Sequence, residues 1–190
     1  MQVAKPKKGY KLVKTSFGKY EEIPEEWEVT KFSDISKIKR GASPRPIADP
    51  KYFGNGRGWI RISDVTKSQK YLETTEDHLS NFGESKSVPV NPNDLIMSIA
   101  ASLAIPIILK MKACIHDGFI TFSSLSKSID VEFLYFMLLQ SRSKFLNQGQ
   151  MGTQNNLNAE LVGETTFAKP SLPEQKQIAT ILSNVDDTLQ

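Results

Sequence analysis

The 190-residue chain has one cysteine, two histidines and no apolar run approaching the 18 residues that a membrane span needs. A lone Cys114 excludes an internal disulfide framework and suits a reducing compartment, so a cytoplasmic location is the expectation. The opening residues Met1 to Lys8 carry charge without an apolar stretch, so no secretory signal is expected there. Neither sign of charge dominates: 24 Lys and Arg stand against 21 Asp and Glu, and a net +3 is too mild to establish a polyanionic partner. Apolar residues at 39% and charged residues at 24% are ordinary globular usage, which argues against disorder. The length fits one domain with an appendage, or two small ones.

Groupings that could do bond chemistry are equally scarce. Cys114, His116 and His78 are too few nitrogen and sulfur ligands for a zinc site, and Cys114-x-His116 points its side chains to opposite faces of a strand. Gly54-Asn-Gly-Arg-Gly58 has the composition of a phosphate loop, yet it precedes a strand, whereas phosphate binding needs a helix N-terminus aimed at the anion. Asp49-Pro-Lys-Tyr52 and Asn91-Pro-Asn-Asp94 each half-match the Asp/Asn-Pro-Pro-aromatic signature of amino-methyltransferases, but both lack the second proline and neither lies in a βαβ cofactor domain. The residues therefore point to no catalytic role.

What is present is segregated charge. Residues 1–20 hold six lysines and no acid, and residues 38–70 hold eight basic residues (Lys39, Arg40, Arg45, Lys51, Arg57, Arg61, Lys67, Lys70) against Asp49 and Asp64. Residues 71–100 then hold five acids against Lys86, and residues 151–190 five against two basic residues. Such a basic stretch is either scattered solvated surface or the footprint of a polyanion. Within it, the 18 residues from Gly41 to Gly58 form a Gly- and Pro-rich segment carrying Arg45, Lys51, Tyr52, Phe53 and Arg57. It reads either as a surface connection or as a recognition loop, since arginine can pair bidentately with guanine and lysine neutralises phosphate. A second segment, Asn147 to Asn158, has seven side-chain amides in twelve residues, which suit backbone capping better than base reading.

The periodicities predict an α+β fold: a twisted, mostly antiparallel sheet with flanking helices and a protruding C-terminal helix. Strands are expected at Trp27–Thr30, Trp59–Ile62, Leu95–Ala100, Ile105–Leu109 and Phe119–Phe122, with Pro106 pushing the fourth toward a sheet edge. A helix capped by Asp130 should run from Val131 to Leu146, buried on most sides, with Gly149 as its stop. Another should begin at Ser171-Leu-Pro-Glu174, a capping-box pattern, with apolar residues Ile178, Ile181, Leu182, Val185 and Leu189 along one stripe.

The order of these signals carries a resemblance. Ile23-Pro-Glu-Glu-Trp-Glu-Val29, Gly41-Ala-Ser-Pro44, Trp59-Ile-Arg-Ile-Ser-Asp-Val65, Asn93-Asp-Leu-Ile-Met-Ser98, Gly152-Thr-Gln-Asn-Asn-Leu157 and Leu172-Pro-Glu-Gln-Lys-Gln-Ile-Ala-Thr-Ile-Leu182 follow one another. Together they resemble one target-recognition domain of a type I restriction–modification DNA specificity (S) subunit. The resemblance implies a non-catalytic reader of half of a bipartite double-stranded DNA site. It implies methyltransferase (M) subunits that bind S-adenosylmethionine, restriction (R) subunits, and spacer helices that set the half-site distance. It divides the chain into a lysine-rich lead-in (1–22), a recognition domain (23–170) and the start of a spacer helix (171–190). Complete members carry two recognition domains, so this chain is either part of a subunit or a half-subunit that forms a homodimer. Gly41–Pro44 and Gly152–Leu157 become framework, and Lys39, Arg40, Arg45, Lys51, Tyr52, Arg57, Lys67 and Lys70 become the expected DNA contacts. The alternative is an interaction module that docks partner subunits through the Ile178–Leu189 stripe without reading bases.

Overall fold

The structure is a computed structural model describing residues 5–16, 18–100, 104–150 and 157–188. The lysine-rich lead-in closes into an antiparallel hairpin of β1 (Tyr10–Lys14) and β2 (Tyr20–Pro24). Ser16, at its turn, ties it to the body: its hydroxyl accepts from the Thr166 amide at 2.7 Å and donates to the Glu164 carbonyl at 3.2 Å. The chain continues through β3 (Glu28–Lys31), the short α1 (Phe32–Ile35), β4 (Lys37–Arg40), a 3₁₀ turn at Pro50–Tyr52 and β5 (Phe53–Ile60). Next come α2 (Ile62–Lys67), β6 (Tyr71–Leu72), β7 (Asp77–Leu79), α3 (Asn81–Glu84), β8 (Val88–Val90) and β9 (Leu95–Ser98). The remainder is β10 (Pro106–Leu109), β11 (Ala113–Ile115), β12 (Phe119–Ser123), α4 (Val131–Gln150), α5 (Ala159–Glu164), β13 (Thr166–Lys169) and α6 (Leu172–Thr188).

Two sheets stack, and helices cover one of them. A five-stranded sheet runs β4-β12-β9-β10-β6 and a four-stranded sheet runs β7-β5-β11-β8. Among the described residues seven of the nine strand pairings are antiparallel; β10–β6 and β11–β5 are parallel. The central strands β9, β10 and β12 are almost continuously apolar because both of their faces are buried, whereas the edge strand β4 is basic and exposed. Leu95, Met97, Ile108, Ile120 and Phe122 pack on Phe133, Leu134 and Leu138 of α4, whereas Ile96, Ile107, Leu109 and Phe119 pack on Ile60, Val88, Val90 and Ile115 of the other sheet. The outer face of the four-stranded sheet carries Trp59, Leu79 and Cys114, with Ile47 and Phe53 packed against them.

Several expectations are corrected. Pro106 does not make β10 an edge: β10 lies between β9 and β6, and its proline is tolerated because β6 pairs only with Ile108 and Leu109. Gly54 to Gly58 is not loop but the first half of β5, with a bulge between Phe53 and Gly58. Helix α4 continues past Leu146 to Gln150, so Gly149 does not end it. Asp130 caps it as expected, its carboxylate accepting from the Glu132 and Phe133 amides at 3.0 Å each. In α6, Glu174 accepts from the Trp27 indole N–H at 3.1 Å. Its neighbour Gln175, fully buried, accepts from the Asp130 amide and donates to the Ser128 and Pro170 carbonyls, so the start of α6 is locked to the start of α4.

Gly41 explains its place in the sequence. Its amide donates to Phe119 of β12 and the next amide, of Ala42, donates to Ile115 of β11, so the chain crosses here from one sheet to the other. A Cβ at Gly41 would overlap the carbonyl oxygens of Ile115 and His116, and both are backbone atoms that cannot swing aside.

Candidate nucleic-acid interface

The loop after Gly41 is held by Asp117, a residue in the turn between β11 and β12. Ser43 Oγ donates to Asp117 Oδ1 at 2.6 Å, Arg45 Nη2 to Oδ2 at 3.0 Å, and Arg40 Nε to the Asp117 carbonyl at 2.7 Å. The Ser43 hydrogen bond, aided by the Arg45 charge, holds the Asp117 carboxyl below the usual carboxylate range. One acid thereby gathers two expected contact residues, Arg40 and Arg45, at the rim where both sheets end. The Arg45 side chain remains 71% exposed despite its ion pair.

Tyr52 and Lys51 adjoin this cluster but are not equivalent. Tyr52 is buried to 6%, donates its hydroxyl to the Arg45 carbonyl at 2.8 Å, and lies parallel to Phe82 with ring centroids 5.5 Å apart. It supports the loop and offers little surface to a ligand. Lys51 pairs with Asp49 at 2.7 Å and sits 5.0 Å from the Tyr52 ring centroid. Asp49, the acid of the half-matched methyltransferase signature, spends its carboxylate on the Lys51 amide and ammonium.

The other expected contacts separate. Arg57 is drawn into the fold: its guanidinium donates to the Val90 carbonyl at 2.9 Å and to Asn91 Oδ1 at 3.2 Å, and Glu84 lies 3.5 Å away. With those donors engaged, the position suits sheet stapling better than base reading. Lys70 bonds Glu132 and Ser183 at 2.7 Å each, bridging β6 to α4 and α6 with only 16% of its side chain exposed. Lys67 is exposed beside the same helices, in a cleft that it shares with Tyr135 and Asp186. Lys39 is exposed on β4, an edge strand, where a lysine also discourages strand-to-strand association.

Two exposed residues escaped the sequence reading. Phe82 stands 49% exposed on α3, and the Lys86 ammonium lies 5.5 Å from its ring centroid. Both fall in the net-acidic segment 71–100, so charge counting passed over them. An isolated phenylalanine just after a serine helix cap was the available signal.

The helix stripe divides in two. Ile178 and Leu182 pack against the core beside buried Ala179, whereas Ile181 and Val185 are 62% and 49% exposed; Leu189 lies outside the described residues. The amide-rich segment, including most of Gly152–Leu157, also lies outside them, although Leu157 itself is buried in the core. Cys114 is buried, and burial pushes its thiol up to about 11. His116 Nδ1 accepts from the Gly118 amide at 2.9 Å, and burial lowers its pKa.

Comparison with known proteins gives this geometry its context. The family model described as Type I restriction modification DNA specificity domain matches residues 24–190. Among curated proteins of Methanocaldococcus jannaschii, the Type I restriction enzyme MjaVIII specificity subunit is 26% identical over 172 residues, covering 88% of this chain and 37% of the relative. The MjaIX specificity subunit is 25% identical over 181 residues, covering 93% of this chain and 41% of the relative. Among solved structures, the HsdS subunit from Thermoanaerobacter tengcongensis superposes with TM-score 0.70 at 16% identity, covering 87% of this chain and 38% of that one. A chain from a study of complex assembly and conformational transition of the type I R-M system superposes with TM-score 0.72 at 18% identity, covering 87% and 40%. The chain therefore spans about two fifths of the length of these relatives. With nearly all of its fold inside the matched span, it belongs to the Type I restriction modification DNA specificity domain family.

Proposed function

We propose that this chain reads one half of a bipartite DNA site for a type I restriction–modification complex and performs no bond chemistry itself. The observation that carries the reading is the family match across residues 24–190. Within the chain, the Asp117-centred rim supplies the surface: Arg40 and Arg45 present guanidinium groups beside Lys51, with Lys39 on the adjoining strand. Guanidinium is suited to base edges and phosphate alike, and ammonium to phosphate. Lys67 and Lys70, beside α4 and α6, and the engaged Arg57 leave this list.

Methylation and cleavage are assigned to separate M and R subunits, with S-adenosylmethionine on the M subunit. The unpartnered Ile181–Val185 row of α6 is where a second recognition domain, a second copy or an M subunit would lie. The test is selection of bound duplexes from a random-sequence library in excess competitor, followed by a methyl-transfer assay. The chain should enrich one motif, and methyl transfer should require added M subunit. Binding without sequence preference, or methylation by this chain alone, defeats the reading.

A further inference from the structure

The aromatic pair Tyr52–Phe82 is built differently from the rest of the surface. Tyr52 is buried and hydrogen-bonded to the loop that carries Arg45, so it forms a fixed base. Phe82 lies on it at 9° between ring planes, and α3 can sit there because Gly83 has no Cβ to collide with the Tyr52 carbonyl. The Ser80 hydroxyl accepts from the Gly83 amide at 3.1 Å and donates to the Lys51 carbonyl at 2.6 Å, pinning the same turn from the other side. An exposed phenylalanine on so rigid a mount loses little entropy on contact. It covers none of the three apolar clusters of the core.

Charge beside it selects the partner. The Lys51 ammonium, shared with the Asp49 carboxylate, is 5.0 Å from one ring, and the Lys86 ammonium is 5.5 Å from the other. Lys86 makes no ion pair among the described residues. An apolar tip flanked by ammonium groups matches the repeating phosphates and apolar base edges of a nucleic-acid groove. With Tyr52 against the ring and an ammonium over it, stacking a base on Phe82 would have to displace one of them. What the ring offers freely is its apolar edge, and the apolar feature of a base edge in the major groove is the thymine methyl.

Building on the DNA-reading function above, we propose that Phe82 is a specificity-determining residue that contacts a thymine methyl in the major groove, with Lys51 and Lys86 on the flanking phosphates. The experiment uses the 190-residue chain and the duplex that it enriches from a random library. Replacing each thymine of the motif by uracil, which removes only the methyl, should weaken the parent at one position by roughly fourfold, the worth of one buried methyl group. Phe82→Ala should lose preference at that position, become insensitive to the uracil, and keep the parental salt slope. Lys86→Ala should weaken all duplexes alike and reduce the salt slope by about 0.9. A motif without thymine, indifference of the parent to every uracil, or a Phe82→Ala chain enriching the same motif at parental affinity overturns the proposal while leaving DNA reading intact. If the parent enriches no motif, both readings fall. Where Phe82→Ala fails to fold, Phe82→Leu, which shortens the apolar edge, should shrink the uracil penalty at that one position, and an unchanged penalty overturns the proposal.

Discussion

Arg45 and Lys70 come from one basic segment and each pairs with an acid 62 or more residues away, yet the two pairs behave oppositely. Lys70 is enclosed: Glu132, Ser183 and the rings of Tyr71 and Phe136 surround it, and the group joins a sheet edge to two helices. Arg45 is paired on one side and open to water on the other, so a phosphate or base edge can compete with Asp117 for its guanidinium. An exposed ion pair contributes little to stability and exchanges readily, whereas an enclosed one cannot lose a partner without leaving a desolvated charge. Exposure after pairing, and not basicity in the sequence, separates a cation that is open to a ligand from a structural one.

The most severe test of the exposed side is Gly41→Ala. Forcing a methyl against the Ile115 and His116 carbonyls should cost about 3 kcal/mol in denaturant unfolding and spoil DNA binding with it, because the chain crossing that positions Arg45 must shift. Next is Lys70→Ala, expected to lose about 2 kcal/mol because Glu132 keeps a charge with fewer partners, while the salt slope of DNA binding stays at the parental value. A fall in that slope would move Lys70 to the DNA surface.

Arg45→Ala should change stability by less than about 1 kcal/mol, as exposed pairs do, yet reduce DNA affinity or relax one base preference. Its partner adds a pH signature. The Asp117 carboxyl titrates below its ordinary value when folded, so its contribution is complete above the unfolded pKa and is lost as pH falls through the folded one. Acid titration followed by amide chemical shifts at Ser43 and Arg45 should show this release, and Asp117→Asn should abolish it. The smallest expected effect on stability is that of Ile181→Glu with Val185→Glu, within about 0.5 kcal/mol because both side chains already face solvent. The same double change should abolish dimerisation or M-subunit binding, read by sedimentation; unfolding of the domain would place that row in the core.

Much of the architecture was legible along the chain. Leu95–Ser98, Phe119–Ser123 and the α4 run announce themselves because burial on two faces demands unbroken apolar sequence, and Asp130 is a local cap. Pro106 and Gly54–Gly58 misled for the same local reason: whether a proline or a glycine-rich stretch can sit in a strand depends on where the neighbouring strand ends. The basic cluster misled more deeply. Four of its eight cations pair with Asp117, Glu84, Asp77 and Glu132, all outside the segment, and counting within residues 38–70 cannot see them.

The apolar periods, the caps and the ordered motifs were enough to establish an α+β family member, because those signals depend on residues a few positions apart. Which cations stay available, which half of the α6 stripe meets water, and that Phe82 stands on Tyr52 beside Lys86 depended on folding. Charge neutralisation and burial are set by distance in space, and the partners that settle them come from distant parts of the chain.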